Sequence, residues 1–150
     1  MTDTATAPLL TAFDVACSAD HAFDIWTTRI GTWWPKDHTV GGDGADVVLE
    51  HGVGGRLLER HGDGTEHVWG EITTWDPPAR LGYTWHIGQP TTTATEVEVR
   101  FVAVGDTATR VEIEQRGWET YGSEAGVWRA RNRIGWDSLA THFTRAIEES

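Results

Sequence analysis

The strongest constraint on this fold is a series of short β-like segments that fills the middle of the chain. Apolar and charged residues alternate most regularly near its end, where Val97 and Val99 are interleaved with Glu96 and Glu98. This alternation predicts an antiparallel meander with one buried face and one solvated face. Glycine, proline and aspartate turns separate six such segments, at residues 45–50, 55–61, 67–76, 80–87, 93–104 and 108–116.

Helical patterns flank this meander on both sides. An extended segment at residues 9–16 precedes Ser18, a typical helix N-cap residue, and a short helical pattern that Pro35 ends. From residue 127 to residue 149, apolar residues recur every three or four positions, which predicts a long amphipathic helix. The order predicts an α+β fold in which a curved antiparallel sheet of about seven strands wraps around the C-terminal helix, with two short helices after the first strand. Because glycine lowers helix propensity, we expect Gly135 to allow close approach of another element to the long helix.

Length and composition indicate one domain. The 150 residues suffice for one hydrophobic core, so we assign residues 9–150 to a single domain and residues 1–8 to a flexible N terminus. A formal charge of −11 argues against binding to nucleic acid. The sequence has no apolar run long enough to span a bilayer and no secretory signal, which predicts no membrane span and a cytoplasmic location. Cys17 is the single cysteine, so no internal disulfide forms, and we expect a buried, inert thiol.

Several short motifs, in their order along the chain, carry a family resemblance. They are Gly54-Gly55-Arg56, Asp63-Gly64, Trp69-Gly70-Glu71-Ile72, Trp75-Asp76-Pro77-Pro78-Ala79-Arg80-Leu81, Tyr83-Thr84-Trp85, Ala108-Thr109-Arg110-Val111 and Gly135-Trp136 followed by Leu139. From about residue 9 to residue 147 the chain resembles the SRPBCC superfamily, in its START-like branch related to the activator of heat-shock-chaperone ATPase. The resemblance implies a helix-grip fold like that of the birch pollen allergen, with a cavity between sheet and long helix that binds an apolar small molecule in many relatives. It does not imply one activity, because ligand carriers, aromatase/cyclases and co-chaperones share this fold.

Glu59 and Tyr83 are the candidate catalytic residues. The turn at residues 62–65 places Glu59 opposite Val68, which puts Glu59 on the inner face of the sheet together with Ile72 and Tyr83. A carboxyl group in such apolar surroundings is expected to have a raised pKa and to act as an acid, a base or a hydrogen-bond partner for a ligand. Two alternatives stay open for Glu59: an ion pair with a neighbouring arginine, Arg56 or Arg60, and a one-residue shift of register that turns it outward.

No metal site and no cofactor are predicted. The chain contains seven histidines, but none stands in a recognised zinc motif. His61 and His67 flank a hairpin turn, where an exposed position is the ordinary outcome and a chance metal-binding pair is the alternative.

Nine tryptophans suggest either a lined cavity or a thick core. In a helix-grip arrangement the short helices and the long helix close the two sides of the cavity, and Asn132 lies at helical spacing between two of the tryptophans. Filling of the core is the alternative for each aromatic residue, and exposure to solvent is the alternative for Asn132. The candidate ligand-binding residues are Trp33, Trp34, Glu59, Ile72, Tyr83, Trp85, Phe101, Trp128, Asn132 and Trp136.

The function favoured by these residues is binding of an apolar or amphipathic small molecule, such as a lipid, a polyketide or an aromatic compound, in the cavity. One alternative is a cyclase, dehydratase or hydrolase-like enzyme that acts on a polyketide or aromatic substrate, with Glu59 as acid or base and Tyr83 as hydrogen-bond donor. The other is a stress-response or chaperone-interacting protein that works through the outer face of its sheet. A chaperone partner is the least favoured, because the N-terminal chaperone-binding domain of the eukaryotic activators has no counterpart in this sequence. A monomer and a homodimer are equally compatible with the sequence.

Overall fold

The computed structural model describes residues 6–42 and 44–150, so most of the predicted flexible N terminus lies outside the described residues. Seven antiparallel strands form one sheet in the order β1-β7-β6-β5-β4-β3-β2. The strands are β1 (Leu9–Val15), β2 (Asp46–Leu49), β3 (Arg56–Arg60), β4 (Glu66–Asp76), β5 (Arg80–Trp85), β6 (Thr95–Gly105) and β7 (Ala108–Arg116). The helices are α1 (Ala19–Thr27), α2 (Ile30–Trp33) and α3 (Ala125–Glu149), and 3-10 turns cover Thr91–Thr93 and Trp118–Glu124. This confirms the predicted α+β helix-grip architecture.

Local sequence signals explain where the helices lie. The Ser18 side chain accepts a hydrogen bond from the His21 backbone N–H at 3.2 Å and so caps α1, as predicted. Helix α2 ends just before Pro35, whose ring has no backbone N–H to offer. Helix α3 packs the side chains of Leu139 and Phe143 into the core. Among the described residues, no helix is both long and apolar enough to cross a membrane.

Alternation in β6 and β7 builds the inner face of the sheet. Val99 lies opposite Ile113 and Phe101 opposite Val111, and all four side chains are buried. On the outer face Arg100 forms ion pairs with neighbouring glutamates. The period-two pattern of the sequence therefore separates core from solvent as expected.

The predicted register of the β3–β4 hairpin is wrong by one residue. Glu59 lies opposite His67, and Leu58 lies opposite Val68. The reason is the hairpin loop, which holds five residues, His61 to Thr65, rather than the four of the expected turn. Val68 consequently faces outward and is 39% exposed.

A β-bulge in the same hairpin returns the rest of β4 to its expected face. Leu57 pairs with Gly70 and Leu58 with Val68, so Trp69 is the extra residue between the two pairs. Trp69 is fully buried, and Ile72 lies in the core as predicted. The bulge therefore places the Trp69 indole on the inner side of the sheet, where the prediction had Val68.

Candidate functional site

A cavity of about 290 Å³ lies between α3, the segment after α2 and the end of β5. Its walls are mostly apolar, with polar side chains grouped near the segment after α2 and along one side of α3. The aromatic and aliphatic lining residues are Trp34, Trp85, Ile87, Trp128, Trp136 and Leu139, and the others are Asp37, His38, Thr39, Arg131, Asn132 and Gly135. A mostly apolar cavity with a few polar groups is the usual form of a small-molecule site.

The structure divides the candidate ligand-binding residues into two groups. One group lines the cavity, and the other lies in the core or in the β3–β4 hairpin, outside the cavity lining. The first group is Trp34, Trp85, Trp128, Asn132 and Trp136. The second group is Trp33, Glu59, Ile72, Tyr83 and Phe101.

Tyr83 is buried in the core beside Trp26. Burial raises the pKa of the Tyr83 phenol well above its ordinary value, and the neighbouring Trp26 indole acts in the opposite direction. The Trp26 Nε1–H has no acceptor within hydrogen-bonding geometry among the described residues. Tyr83 therefore keeps its proton at neutral pH and packs as a core side chain.

Gly135 does not bring another element close to α3, so that prediction is wrong. A Cβ built on Gly135 would meet no atom within 4 Å, because this turn of α3 faces the cavity rather than a neighbouring element. The missing side chain keeps the cavity open at this point. Glycine inside a helix lowers helix stability by about 1 kcal/mol relative to alanine. At this position the glycine also leaves space in the cavity beside Trp136.

A buried hydrogen-bond network under the cavity joins β7 to α3. The Gln115 side chain is completely buried and donates to the Thr95 hydroxyl at 2.9 Å and to Asn132 Oδ1 at 3.3 Å. Its Oε1 accepts a bond of 2.7 Å from Trp136 Nε1, and the Asn132 amide also donates to the Trp128 carbonyl. These bonds fix the orientation of two side chains that line the cavity, those of Asn132 and Trp136.

Glu59 points inward as predicted and makes a different network. Its Oε1 accepts hydrogen bonds from the Val40 backbone N–H and from Trp69 Nε1, and its Oε2 from the Gly41 backbone N–H and from His61 Nε2. The carboxylate is completely buried and holds the loop that follows α2 against the β3–β4 hairpin. Its function in this arrangement is to anchor that loop.

The expected raised pKa of Glu59 is wrong. Burial by itself would raise this pKa, but the four hydrogen bonds to the carboxylate together lower it below the ordinary value of 4.5. The alternative of an ion pair with Arg56 or Arg60 is not observed either, because those two arginines pair with Glu50 and Glu66.

Trp34 forms the part of the cavity wall nearest to this loop. Its indole Nε1 donates to the His38 carbonyl at 2.9 Å, and its ring lies 5.0 Å from that of Trp69 and 5.8 Å from that of Trp85. The ring therefore lies between the loop and the buried aromatic side chains of the sheet. A displacement of the loop would displace this wall.

His38 and Asp37 form a hydrogen-bonded pair in the cavity wall. The His38 Nδ1 lies 2.9 Å from Asp37 Oδ1, and this contact lowers the pKa of the Asp37 carboxyl. The Asp37 side chain is 87% exposed, whereas that of His38 is 31% exposed. A carboxylate on one imidazole nitrogen leaves the other nitrogen available for proton transfer.

Sequence reasoning missed three features of this region. Gln115 has a readable signal, because it follows Val111 and Ile113 at the same period-two spacing and so belongs to the inner face of β7. The only sequence signal of the Asp37–His38 pair is that the two residues are adjacent, and such neighbours are common by chance. The approach of His61 and His67 to Glu59 depends on the five-residue hairpin loop and has no motif.

A curved antiparallel sheet closed by one long helix, with a small cavity between them, defines the helix-grip class of proteins. The family model described as "Activator of Hsp90 ATPase homolog 1-like protein" matches residues 16–148, and this chain belongs to that family. The predicted resemblance is thereby confirmed. A comparison with curated protein sequences gives no match.

Solved structures add more specific relatives. The anthrahydroquino-gamma-pyrone synthase Txn09 is 38% identical, with a TM-score of 0.58, over 79% of this chain and 81% of its own. CalC from Micromonospora echinospora, described as a self-sacrificing resistance protein, is 25% identical, with a TM-score of 0.70, over 97% of both chains. Protein MLL2253 from Mesorhizobium loti is 15% identical with a TM-score of 0.70, over 96% of this chain and 98% of its own, and this likeness concerns the fold alone.

Proposed function

We propose that this protein binds a planar aromatic small molecule of the polyketide type in the cavity under α3. The observation that carries the proposal is the set of four tryptophans around that cavity, Trp34, Trp85, Trp128 and Trp136. Flat indole walls favour flat ligands, because aromatic rings gain from stacked and edge-to-face contacts in addition to the burial of apolar area.

The size of the cavity supports a compact ligand. Small-molecule sites commonly enclose about 300–1,000 Å³, and this cavity of about 290 Å³ lies at the lower end of that range. A rigid ring system fits such a volume with little loss of conformational freedom, whereas a long acyl chain would have to be ordered on binding.

Polar groups on two sides of the cavity would orient the ligand. Asn132 and Arg131 lie on the α3 side, and His38 lies on the loop side. The bonds from Gln115 and to the Trp128 carbonyl hold the Asn132 amide in place before a ligand arrives. Hydroxyl or carbonyl oxygens at opposite edges of an aromatic ligand would meet these groups.

A second candidate function is ring closure on the bound aromatic compound, with His38 as the acid–base group. The Asp37–His38 pair in the cavity wall favours it, as does the 38% identity to a protein described as a synthase. His38 would take the proton of a ligand phenol or enol as that oxygen bonds to a carbonyl carbon of the same molecule, while Asp37 stabilises the imidazolium that forms. His38 would then return the proton to the former carbonyl oxygen, whose π bond to carbon has broken, so the ring closes without loss of atoms. This step requires a substrate oxygen within hydrogen-bonding reach of the free His38 nitrogen.

The binding proposal is tested by titrating tryptophan fluorescence with hydroxyanthraquinones and, in parallel, with fatty acids. The matched variants are Gly135→Leu, whose side chain would enter the cavity, and Ala130→Leu, which adds the same side chain at an exposed position of α3 that does not line it. We expect saturable quenching by the anthraquinones that is lost in Gly135→Leu and kept in Ala130→Leu. Equal binding by the two variants would contradict a ligand site under α3.

The two candidate functions are separated by His38→Gln. If the protein only binds, neither wild type nor this variant converts the ligand, and the affinity changes only modestly because the glutamine amide can still form a hydrogen bond to a ligand oxygen. If the protein closes a ring, wild type converts a linear or partly cyclised precursor, and His38→Gln loses turnover while it retains binding. Product analysis by mass spectrometry and chromatography distinguishes the two results.

A further inference from the structure

Three side chains near the β3–β4 hairpin form a cluster that lies outside the cavity lining. Glu59, His61 and His67 each place one potential ligand atom within 4.8 Å of the other two. The His61 Nε2 and Glu59 Oε2 atoms are 2.8 Å apart, and the two imidazole rings lie nearly perpendicular with centroids 5.7 Å apart. Glu59 is buried, while the two histidines are partly exposed, so an ion could reach the cluster from solvent.

We propose that Glu59, His61 and His67 bind a divalent transition-metal ion, with Zn²⁺ as the best fit. Two imidazoles and one carboxylate form a donor set that suits Zn²⁺ and other late divalent ions, whereas Mg²⁺ and Ca²⁺ prefer oxygen donors alone. Three protein ligands leave at least one position for water. The formal charge of −11 adds a long-range attraction for cations.

The geometry needs only small side-chain movements to close around an ion. Zinc bonds of about 2.0–2.2 Å put tetrahedral ligand atoms about 3.3–3.6 Å apart. The distance between His61 Nε2 and Glu59 Oε2 is already shorter than this, and no two of the three potential ligand atoms are more than 4.8 Å apart. In the bound form the Nε2 lone pair of neutral His61 faces the ion in place of its N–H, and the ring proton lies on Nδ1.

The surroundings of Glu59 are suited to hold a ligand in place. The bonds from Trp69 Nε1 and Val40 N–H to Oε1, and from Gly41 N–H to Oε2, fix the carboxylate without help from His61. Hydrogen-bonded ligands of this kind raise metal affinity, because their orientation is set before the ion arrives. A Cβ on Gly41 would lie 2.3 Å from His61 Nε2, so the absence of a side chain there leaves that nitrogen in its place beside Glu59.

The test is calorimetric titration of the tag-free full chain with Zn²⁺, after chelator treatment and removal of the chelator. We expect one Zn²⁺ per chain, with affinity reduced by about tenfold or more in His61→Gln and in His67→Gln. His21→Gln is the matched control, because His21 lies on α1 outside the cluster, and it should bind like wild type. Co²⁺ in place of Zn²⁺ should give visible absorption bands of a site with fewer than six ligands in wild type and not in His67→Gln.

Two results would overturn the proposal: a wild type that binds Zn²⁺ no more tightly than the His61→Gln/His67→Gln double variant, or a double variant that retains the one-to-one site. Failure to fold does not confuse the test, because the His67 side chain forms no hydrogen bond among the described residues, so His67→Gln should keep the wild-type circular dichroism spectrum. The test uses no cavity ligand, so its outcome is independent of the proposed function.

Discussion

Glu59 and Gln115 are both completely buried polar side chains on the inner face of the sheet, and they lie on strands at opposite sides of it. Glu59 is ionised and accepts bonds chiefly from the backbone and side chains of a loop and a hairpin, whereas Gln115 is neutral and bonds to side chains of β6 and α3. Glu59 fixes the side of the cavity formed by the loop after α2, and Gln115 fixes the side formed by α3. A carboxylate can thus hold an irregular loop through several donors at once, while an amide, which both donates and accepts, can join two regular elements.

Glu59→Gln should cause the greatest loss of stability. The amide nitrogen of glutamine cannot accept a hydrogen bond, so the donors that faced the replaced oxygen lose their acceptor. These are either the Gly41 N–H, with His61 changing its tautomer to accept from the amide, or the Val40 N–H and Trp69 Nε1–H. The loss of these hydrogen bonds and of a completely buried charged acceptor should lower the free energy of unfolding by about 2–4 kcal/mol, measured by urea denaturation. The control is Glu71→Gln on the outer face of β4, which should change the free energy of unfolding by less than about 0.5 kcal/mol. Similar losses in both variants would show that the network at Glu59 contributes little.

A smaller effect is expected for Gln115→Leu. Leucine retains most of the buried volume, but Trp136 Nε1 loses its acceptor, while Asn132 keeps its bond to the Trp128 carbonyl. One buried donor left unpaired should cost about 1–3 kcal/mol. A double-mutant cycle with Trp136→Phe isolates the bond between the two side chains, because phenylalanine removes the donor. The losses of unfolding free energy in the two single variants should together exceed the loss in the double variant by about 1 kcal/mol. A loss in the double variant equal to that sum would contradict a bond between the two side chains.

The two networks should also differ in their response to pH. The pKa of Glu59 in the folded chain is below its ordinary value of 4.5, so ionised Glu59 stabilises the fold above that pH and loses this contribution as pH falls through the lowered folded pKa. The difference in unfolding free energy between wild type and Glu59→Gln should therefore be constant near neutral pH and narrow below about pH 4.5.

The corresponding difference for Gln115→Leu should not change with pH, because an amide does not titrate. Denaturation curves between pH 3 and pH 7, recorded with a chelator present, provide the comparison. A Glu59→Gln difference that stays constant through the acid range would show that the pKa of Glu59 is not lowered in the folded chain.

Much of the fold could be predicted because it depends on local patterns. The alternation of Val97 and Val99 with glutamates determines which face of β6 is buried, and Ser18 and Pro35 bound the short helices. These signals act over a few residues and need no tertiary information. The same patterns indicated the order of strands and helices, and the family motifs then implied the helix-grip arrangement with a cavity between the sheet and the long helix.

The site was less predictable, because it depends on distances between residues far apart in sequence. The bonds to Glu59 come from Val40 and Gly41, in a loop that carries no regular pattern. One additional residue in the hairpin loop exchanged Val68 for His67 beside Glu59 and so changed its chemical surroundings. Gln115 could have been found, since its position in β7 has the parity of the buried Val111 and Ile113, but a polar side chain gives no hydropathy signal of burial.

Substitution of Gly135 should change stability the least, and it tests whether this glycine is retained for ligand binding rather than for stability. Alanine at this position meets no atom within 4 Å, so the gain in helix propensity is not opposed by a clash. Gly135→Ala should raise the free energy of unfolding by about 0.5–1 kcal/mol, measured by urea denaturation. The added methyl group enters the cavity beside Trp136, so affinity for a hydroxyanthraquinone should fall, though by less than in Gly135→Leu. A variant that is more stable and binds as well as wild type would show that the glycine is not needed to keep the cavity open.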